Sequence, residues 1–146
     1  MTRRVAKVVV YACDTRKFLV EHRAADHGVR NASKWGALGG KLEEGETFQA
    51  AARREVLEES GLTISELTFI FSFSAQPGAK LDDVQYFFAA IPKQLEVTAS
   101  AESQALAWLT RDEIIAKQCS EGLHFAFSKQ WGVVQRCVER SHESEK

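Results

Sequence analysis

Residues Gly40–Leu62 read GKLEEGETFQAAARREVLEESGL, and this stretch decides the fold. Ala50, Ala51, Ala52, Arg53, Arg54, Glu55, Leu57, Glu58 and Glu59 are good helix formers, so Thr47 to Ser60 is expected to be a helix. Thr47 can cap its first turn, and Glu46 puts negative charge near the positive end of the helix dipole. Gly61 can take the left-handed conformation that stops a helix. At about 100° per residue, Phe48, Ala51, Ala52 and Val56 fall on one stripe, expected to face the core. Glu55, Glu58 and Glu59 lie on the same side. A merely solvated helix would set its carboxylates opposite the apolar stripe.

Carboxylates three and four residues apart on a helix repel. Two unit charges about 4 Å apart interact by roughly 4 kcal/mol at an effective dielectric near 20. Something should neutralise them, and hard oxygen donors suit Mg²⁺ or Mn²⁺ better than zinc or copper. The residues alone leave one alternative open: a salt-bridged surface helix with Arg53 and Arg54 as the partners.

Gly40, Glu46 and the run Arg54-Glu55-Val56-Leu57-Glu58-Glu59-Ser60-Gly61-Leu62 together resemble a complete Nudix box, with every fixed position filled. Phe18 to Asp26 (FLVEHRAAD) and Gly39-Gly40-Lys41 resemble the matching parts of MutT-type members, and weaker similarity continues to about Ile115. Many members carry proline just before the glycine pair, where this chain has Leu38.

The resemblance implies an α/β fold, a Nudix-type α/β/α sandwich with a mixed β-sheet. It implies metal binding by Glu58 and Glu59, with Glu55 as a further metal ligand and possible base. It adds the Gly39 carbonyl to the metal shell, and Glu102 as a loop carboxylate completing the cluster or assisting the base. Arg54 and Glu46 would orient the glutamates through ion pairs, and Val56 and Leu57 would pack. Arg23 stands where MutT-like proteins carry a phosphate-contacting arginine. Gly40 and Lys41 fall on the substrate side.

With 146 residues the chain has one domain's length, and 45% hydrophobic with 27% charged residues is ordinary for a globular protein. One domain over residues 1–140 is expected, with a disordered polar tail at 141–146. The net charge of −1 offers no basic field for a nucleic acid polymer or an anionic membrane. No apolar run approaches the length of a membrane span or a secretion signal. Cys13, Cys119 and Cys137 are odd in number and far apart, which points to a reducing cytoplasm, to small packed side chains, and away from a disulfide framework or zinc site.

Along the chain, Val5 to Ala12 reads as a buried strand, Cys13 to Lys17 as a turn and Phe18 to Glu21 as a second strand, hence a hairpin. His22 to Lys34 reads as a basic loop with His22, Arg23, His27, Arg30 and Lys34 against Asp26. Cations beside an acidic metal site suit a polyphosphate. Leu62 to Ser74 reads as extended, with Leu67, Phe69, Phe71 and Phe73 alternating with smaller or polar residues. Gln76 to Lys80 reads as a turn, Val84 to Ile91 as a central strand and Leu95 to Thr98 as a short strand. Ala99 to Ala105 reads as a loop and Trp108-Leu109 as a last strand. Thr110 and Glu113 form a capping box for a helix over 111–116. Leu123 to Arg140 reads as one long helix covering the other side of the sheet.

The expected activity is metal-dependent hydrolysis of a pyrophosphate bond in a nucleoside diphosphate linked to another moiety. The first substrate class is a (deoxy)nucleoside triphosphate, giving the monophosphate and pyrophosphate. The alternatives are ADP-ribose or a nucleotide sugar, or a nucleotide sensor without turnover. Phe71, Tyr86, Phe125, Phe127 and Trp131 are aromatic candidates for base stacking, with core packing the competing role.

Overall fold

The computed structural model describes residues 2–23, 34–75, 81–99 and 103–143. The expected loop residues Asp26, His27 and Arg30, the turn at 76–80, and Glu102 lie outside the described residues. Among these residues seven strands form one mixed sheet: β1 (Thr2–Ala12), β2 (Lys17–Arg23), β3 (Trp35–Gly36), β4 (Leu38–Lys41), β5 (Thr68–Ala75), β6 (Leu81–Ile91) and β7 (Ser103–Leu109). The order is β3-β2-β1-β6-β5, with β4 also on β1 and β7 also on β2. Four helices accompany it: α1 (Phe48–Ser60), α2 (Arg111–Ile115), α3 (Glu121–Phe127) and α4 (Trp131–Glu143).

Strand β1 organises the sheet. Along one edge it runs parallel to β6 through all 11 of its residues, from Thr2 opposite Leu81 to Ala12 opposite Ile91. Its other edge is shared: Val5 to Val8 pair with β4, and Val10 to Ala12 pair with β2. The sheet therefore forks at Val9, between Val8 and Val10. Successive side chains of a strand alternate between faces, and the two faces have different occupants. Ala6, Val8 and Val10 meet Ala51, Ala52 and Val56 of α1. Val5, Val9 and Tyr11 meet Ile114, Leu123, Phe127 and Val134 of α2, α3 and α4. This is the expected α/β/α layering.

Helix α1 begins and ends as its sequence dictates. The Thr47 hydroxyl accepts the Ala50 N–H at 3.1 Å. Gly61 has φ 80°, and its N–H donates to the Leu57 carbonyl. Ala51, Ala52 and Val56 are fully buried, but Leu57 is 51% exposed, so it is not the packing position expected of it. Thr110 and Glu113 form the expected capping box. Cys13 and Cys137 are buried and Cys119 half-buried, all as free thiols.

Four local expectations are corrected. The alternation across β5 fails because the register shifts between Phe69 and Phe71, which turns Phe69 outward at 52% exposure. Leu95 to Thr98 is not a strand; the Trp108 indole N–H donates to the Leu95 carbonyl at 3.0 Å, and Val97 packs on the α1-side core. Strand β7 has seven residues, not two, because it pairs with β2 as far as Arg23. The long C-terminal helix is two helices: Ser128 leaves helical geometry (φ −118°, ψ −88°) and its hydroxyl donates to the His124 carbonyl at 2.6 Å. The break lets Phe127 pack edge-on to Phe18 while Trp131 stacks on Phe127. Helix α4 then runs through Glu143, so Ser141 to Glu143, expected as tail, are its last turn.

Candidate active site

The glycine pair of β4 meets α1 at close range. Gly39 has φ 141°, and a Cβ there would stand 2.0 Å from the Ala6 carbonyl oxygen. Only glycine fits that backbone and that approach. Its N–H donates to Glu59 Oε1 at 2.8 Å in a buried bond. A Cβ on Gly40 would stand 2.6–2.8 Å from the three carboxyl atoms of Glu55. The bare glycine backbone thus forms the floor on which two carboxylates of α1 rest.

Arg54 holds the rest together. Its Nε and Nη2 form a fork on Glu46 at 2.8 and 2.9 Å. Its Nη1 donates to Glu55 at 2.8 Å and to Glu58 at 3.3 Å, and Nη2 also donates to the Lys41 carbonyl. Glu46 in turn accepts the Glu43 N–H, and the Arg54 fork holds its carboxyl down to about 2. The same contacts push the Arg54 guanidinium above its ordinary range. The ion pairs read from the sequence are therefore present, with Arg54 at the centre and Glu46 locking it from the loop.

The three glutamates of α1 are graded in exposure. Glu59 is buried, Glu55 is largely buried against Gly40, and the Glu58 side chain is 57% exposed. Burial pushes the Glu59 carboxyl up to about 8; the charges of Glu21 and Glu55 add to the rise, while Lys7 and the Gly39 N–H oppose it. Two of these neighbours were not singled out in the sequence. Glu21 is 5% exposed on β2; Leu19 of the same strand belongs to the α1-side core, so Glu21, two residues on, points to that side as well. Lys7 stands opposite Gly39 in β1. Burial lowers the Lys7 ammonium, against the pull of Glu59 and Glu21. A charge inside an otherwise apolar strand run was the signal available for both.

Arg23 ends β2 just past a register shift at His22, and its N–H donates to the Lys34 carbonyl at 3.1 Å. Its charge adds to burial in lowering the Lys7 ammonium. His22 packs on the Trp35 ring at 4.9 Å. Lys41 is exposed at the end of β4. Phe71, Tyr86 and Phe127 are buried core residues, and Phe125 and Trp131 pack against them. A separate cleft of about 440 Å³ lies at the opposite end of β1 and β6, lined by Cys13, Ile91, Pro92, Cys137 and Arg140, away from the glutamates.

The donor set fits a hard divalent cation: carboxylate oxygens resting on the Gly39-Gly40 backbone, with a buried Glu59 carboxyl that a cation would hold ionised. Among the described residues no three side chains already converge as a cage. Arg54 engages Glu55 and Glu58, and the Gly39 N–H engages Glu59.

The family described as the NUDIX domain matches residues 1–129. The chain belongs to the Nudix hydrolase family. Among curated Nudix relatives, an oxidized purine nucleoside triphosphate hydrolase of Danio rerio is 48% identical over 62 residues, which span 40% of this chain and 38% of that protein. The nucleoside triphosphatase NudI of an Enterobacter species is 28% identical over 129 residues, 77% of this chain and 86% of that protein. Among solved Nudix structures, the MutT protein of Methanosarcina mazei Go1 superposes with a TM-score of 0.74 at 20% identity, over 99% of this chain and 96% of that one. Among the described residues no helix is long and apolar enough to cross a membrane.

Proposed function

We propose that this Nudix protein is a metal-dependent pyrophosphohydrolase that cleaves a (deoxy)nucleoside triphosphate to the monophosphate and pyrophosphate. The observation that carries the reading is the row Glu59, Glu55, Glu58, graded from buried to exposed and seated on the Gly39-Gly40 backbone. A hydrolase acting on polyphosphates needs such a row beside cations, and Arg23 and Lys41 supply those. The named activities of the Danio rerio and Enterobacter relatives, both on nucleoside triphosphates, support the substrate class.

Glu55, Glu58, Glu59 and the Gly39 carbonyl would hold Mg²⁺ or Mn²⁺, with Glu102 as a further carboxylate. Bound there, the metal polarises a phosphoryl oxygen and lowers the pKa of water. The residues of the chain do the rest. Glu59 is fixed by the Gly39 N–H. Arg54, locked by Glu46, aims Glu55 and Glu58. Glu58, with one 3.3 Å contact to Arg54, is the carboxylate freest to take the water's proton. A bond forms between that water oxygen and phosphorus, the bridging P–O bond breaks, and pyrophosphate leaves. Arg23 neutralises charge on the phosphates. A small nucleotide is the partner, and a reducing cytoplasm suits the three free thiols.

The test is a panel of nucleoside triphosphates, ADP-ribose, nucleotide sugars and dinucleoside polyphosphates, with Mg²⁺ or Mn²⁺, products resolved, and Glu58→Gln alongside. Metal-dependent release of pyrophosphate from a triphosphate, lost in the variant, is expected. Turnover confined to ADP-ribose or a sugar nucleotide would move the substrate class. Tight binding without any turnover would make the protein a sensor.

A further inference from the structure

Strand β5 closes one end of the sheet and is bare on its outer side. Its eight residues read TFIFSFSA, without a charge or a proline. Among the described residues β6 is its one strand partner, and no side chain or loop bonds to its outer backbone groups. An edge strand turns every second N–H and C=O away from its sheet, and these groups can pair with an extended chain that reaches them. Other margins are engaged. At β3, the Trp35 N–H donates to the Gln118 carbonyl at 3.0 Å, and the Trp35 carbonyl accepts the Ser120 N–H at 2.7 Å. At β4, the Gly39 N–H donates to Glu59 and the Lys41 carbonyl accepts from Arg54. Beside β7, the Trp108 indole N–H holds the Leu95 carbonyl. A register shift can spoil an edge for pairing, but the one near Phe69 disturbs only the first residues of β5 and leaves 71–75 regular.

The side chains say which chain fits that edge. Phe69 is exposed and Phe73 half-buried, and Ser72 and Ser74 are exposed on the face opposite to Phe71 and Phe73. We propose that β5 pairs antiparallel with β5 of a second copy of this chain, across a two-fold axis at Phe73, so that one sheet runs through a dimer. In that register the regular residues 71–75 of the two strands cover one another. Ser72 lies opposite Ser74 of the partner subunit, and the reverse, giving two hydroxyl pairs of the kind that stabilise antiparallel strands. Phe73 meets its own copy and extends the aromatic row in which it already stacks on Phe71 at 6.3 Å. A strand without charge meets itself with no like charges opposed, whereas a charged foreign strand finds nothing on β5 to pair with its charges. A chain of net charge −1 also repels its copy little. Pairing about a two-fold axis uses the edge of both subunits and closes, leaving no bare β5 for a third. The inference stands apart from the nucleotide reading, because β5 carries none of the glutamates.

The experiment is sedimentation velocity on the full chain and on two double variants at the exposed serines. One combines Ser72→Lys with Ser74→Lys, and the other combines Ser72→Lys with Ser74→Asp. Thermal melting checks that each variant is folded. Across the proposed axis the first sets lysine against lysine, and the second sets lysine against aspartate. Wild type is expected to sediment as a dimer at about 10–100 µM. The double-lysine variant should raise the dissociation constant roughly tenfold or more, and the lysine–aspartate variant should keep it near or below that of wild type. A wild-type monomer at about 100 µM overturns the inference and leaves the edge to another chain. A dimer that survives in the folded double-lysine variant also overturns it, by putting the interface on another face. Equal weakening in both variants rules out the antiparallel register, and with it the two-fold pairing. Open-ended assemblies in place of a dimer rule out closure.

Discussion

The two faces of the sheet are packed on different principles. Where α1 meets β1, the α1 face is built from small residues, Ala6, Val8, Val10, Ala12, Ala51, Ala52 and Val56, with Leu19, Leu38 and Phe87 around them. The α3/α4 face is aromatic, with Tyr11, Phe18, Phe71, Tyr86, Phe88 and Phe127. Small residues let a helix lie close to its sheet, and closeness is what brings a glutamate as short as Glu59 to the Gly39 N–H at 2.8 Å. Aromatic residues bury more surface each and hold the layers together without needing so close an approach. One face fixes geometry, and the other supplies cohesion.

Substitutions that separate activity from stability test that division. After the loss of turnover expected of Glu58→Gln, the largest expected effect is from Glu55→Gln, which should lower kcat roughly 10³-fold with little change in melting temperature. Steady-state pyrophosphate release and a thermal melt on the same sample check it. Phe127→Ala on the opposite face should do the reverse. It empties a fully buried site and should cost about 3–5 kcal/mol in urea unfolding, with kcat per folded molecule nearly intact. If Phe127→Ala lowered kcat as much as Glu55→Gln, the division of labour would be wrong. Ala52→Leu is the sharper probe, because it enlarges the small-residue layer. It should cost about 1–3 kcal/mol and also reduce kcat, since the helix can make room only by moving its glutamates.

The remaining effect is a pH dependence. Glu59 titrates at about 8 in the folded chain against an ordinary value of 4.5, so the folded state holds a proton over that interval that the unfolded state has released. Stability of the metal-free protein should therefore fall as pH rises from about 4.5 through about 8. Saturating Mg²⁺, which prefers the ionised carboxylate, should flatten the fall, and Glu59→Gln should remove this contribution. Melting temperatures across that range, with and without metal, decide it. A slope that is the same in Glu59→Gln would show that Glu59 is not its source.

What the sequence made legible was local. Thr47, Gly61 and the acidic stripe of α1 announce themselves within a few residues, because caps and helical periodicity are short-range effects. Arg54 with Glu46 was legible for a related reason, since both lie in the same loop-and-helix unit. What failed depended on distant partners. Nothing in Ser128-Lys129-Gln130 breaks a helix by itself; the break serves the packing of Phe127 and Trp131 on Phe18. The full length of β7 depends on β2, whose paired residues lie 80 to 91 positions earlier in the chain. Lys7 and Glu21 looked like ordinary strand residues until the fork in the sheet placed them around Glu59. Glu102 and the basic residues at 27 and 30 stay as sequence-based expectations.

The in-register parallel pairing of β1 with β6 also sets a timetable. Each of its residues from Thr2 to Ala12 meets a partner 79 positions later, from Leu81 to Ile91. Closing a loop of that length is slow, and parallel pairing cannot be nucleated by a tight turn. During synthesis the glycine pair and the glutamate helix leave the ribosome well before β6. Strand β1 then presents an apolar edge with nothing beside it, so the nascent chain depends on protection from aggregation until residue 91 has emerged. The carboxylates that need the closest positioning are made early and finished late.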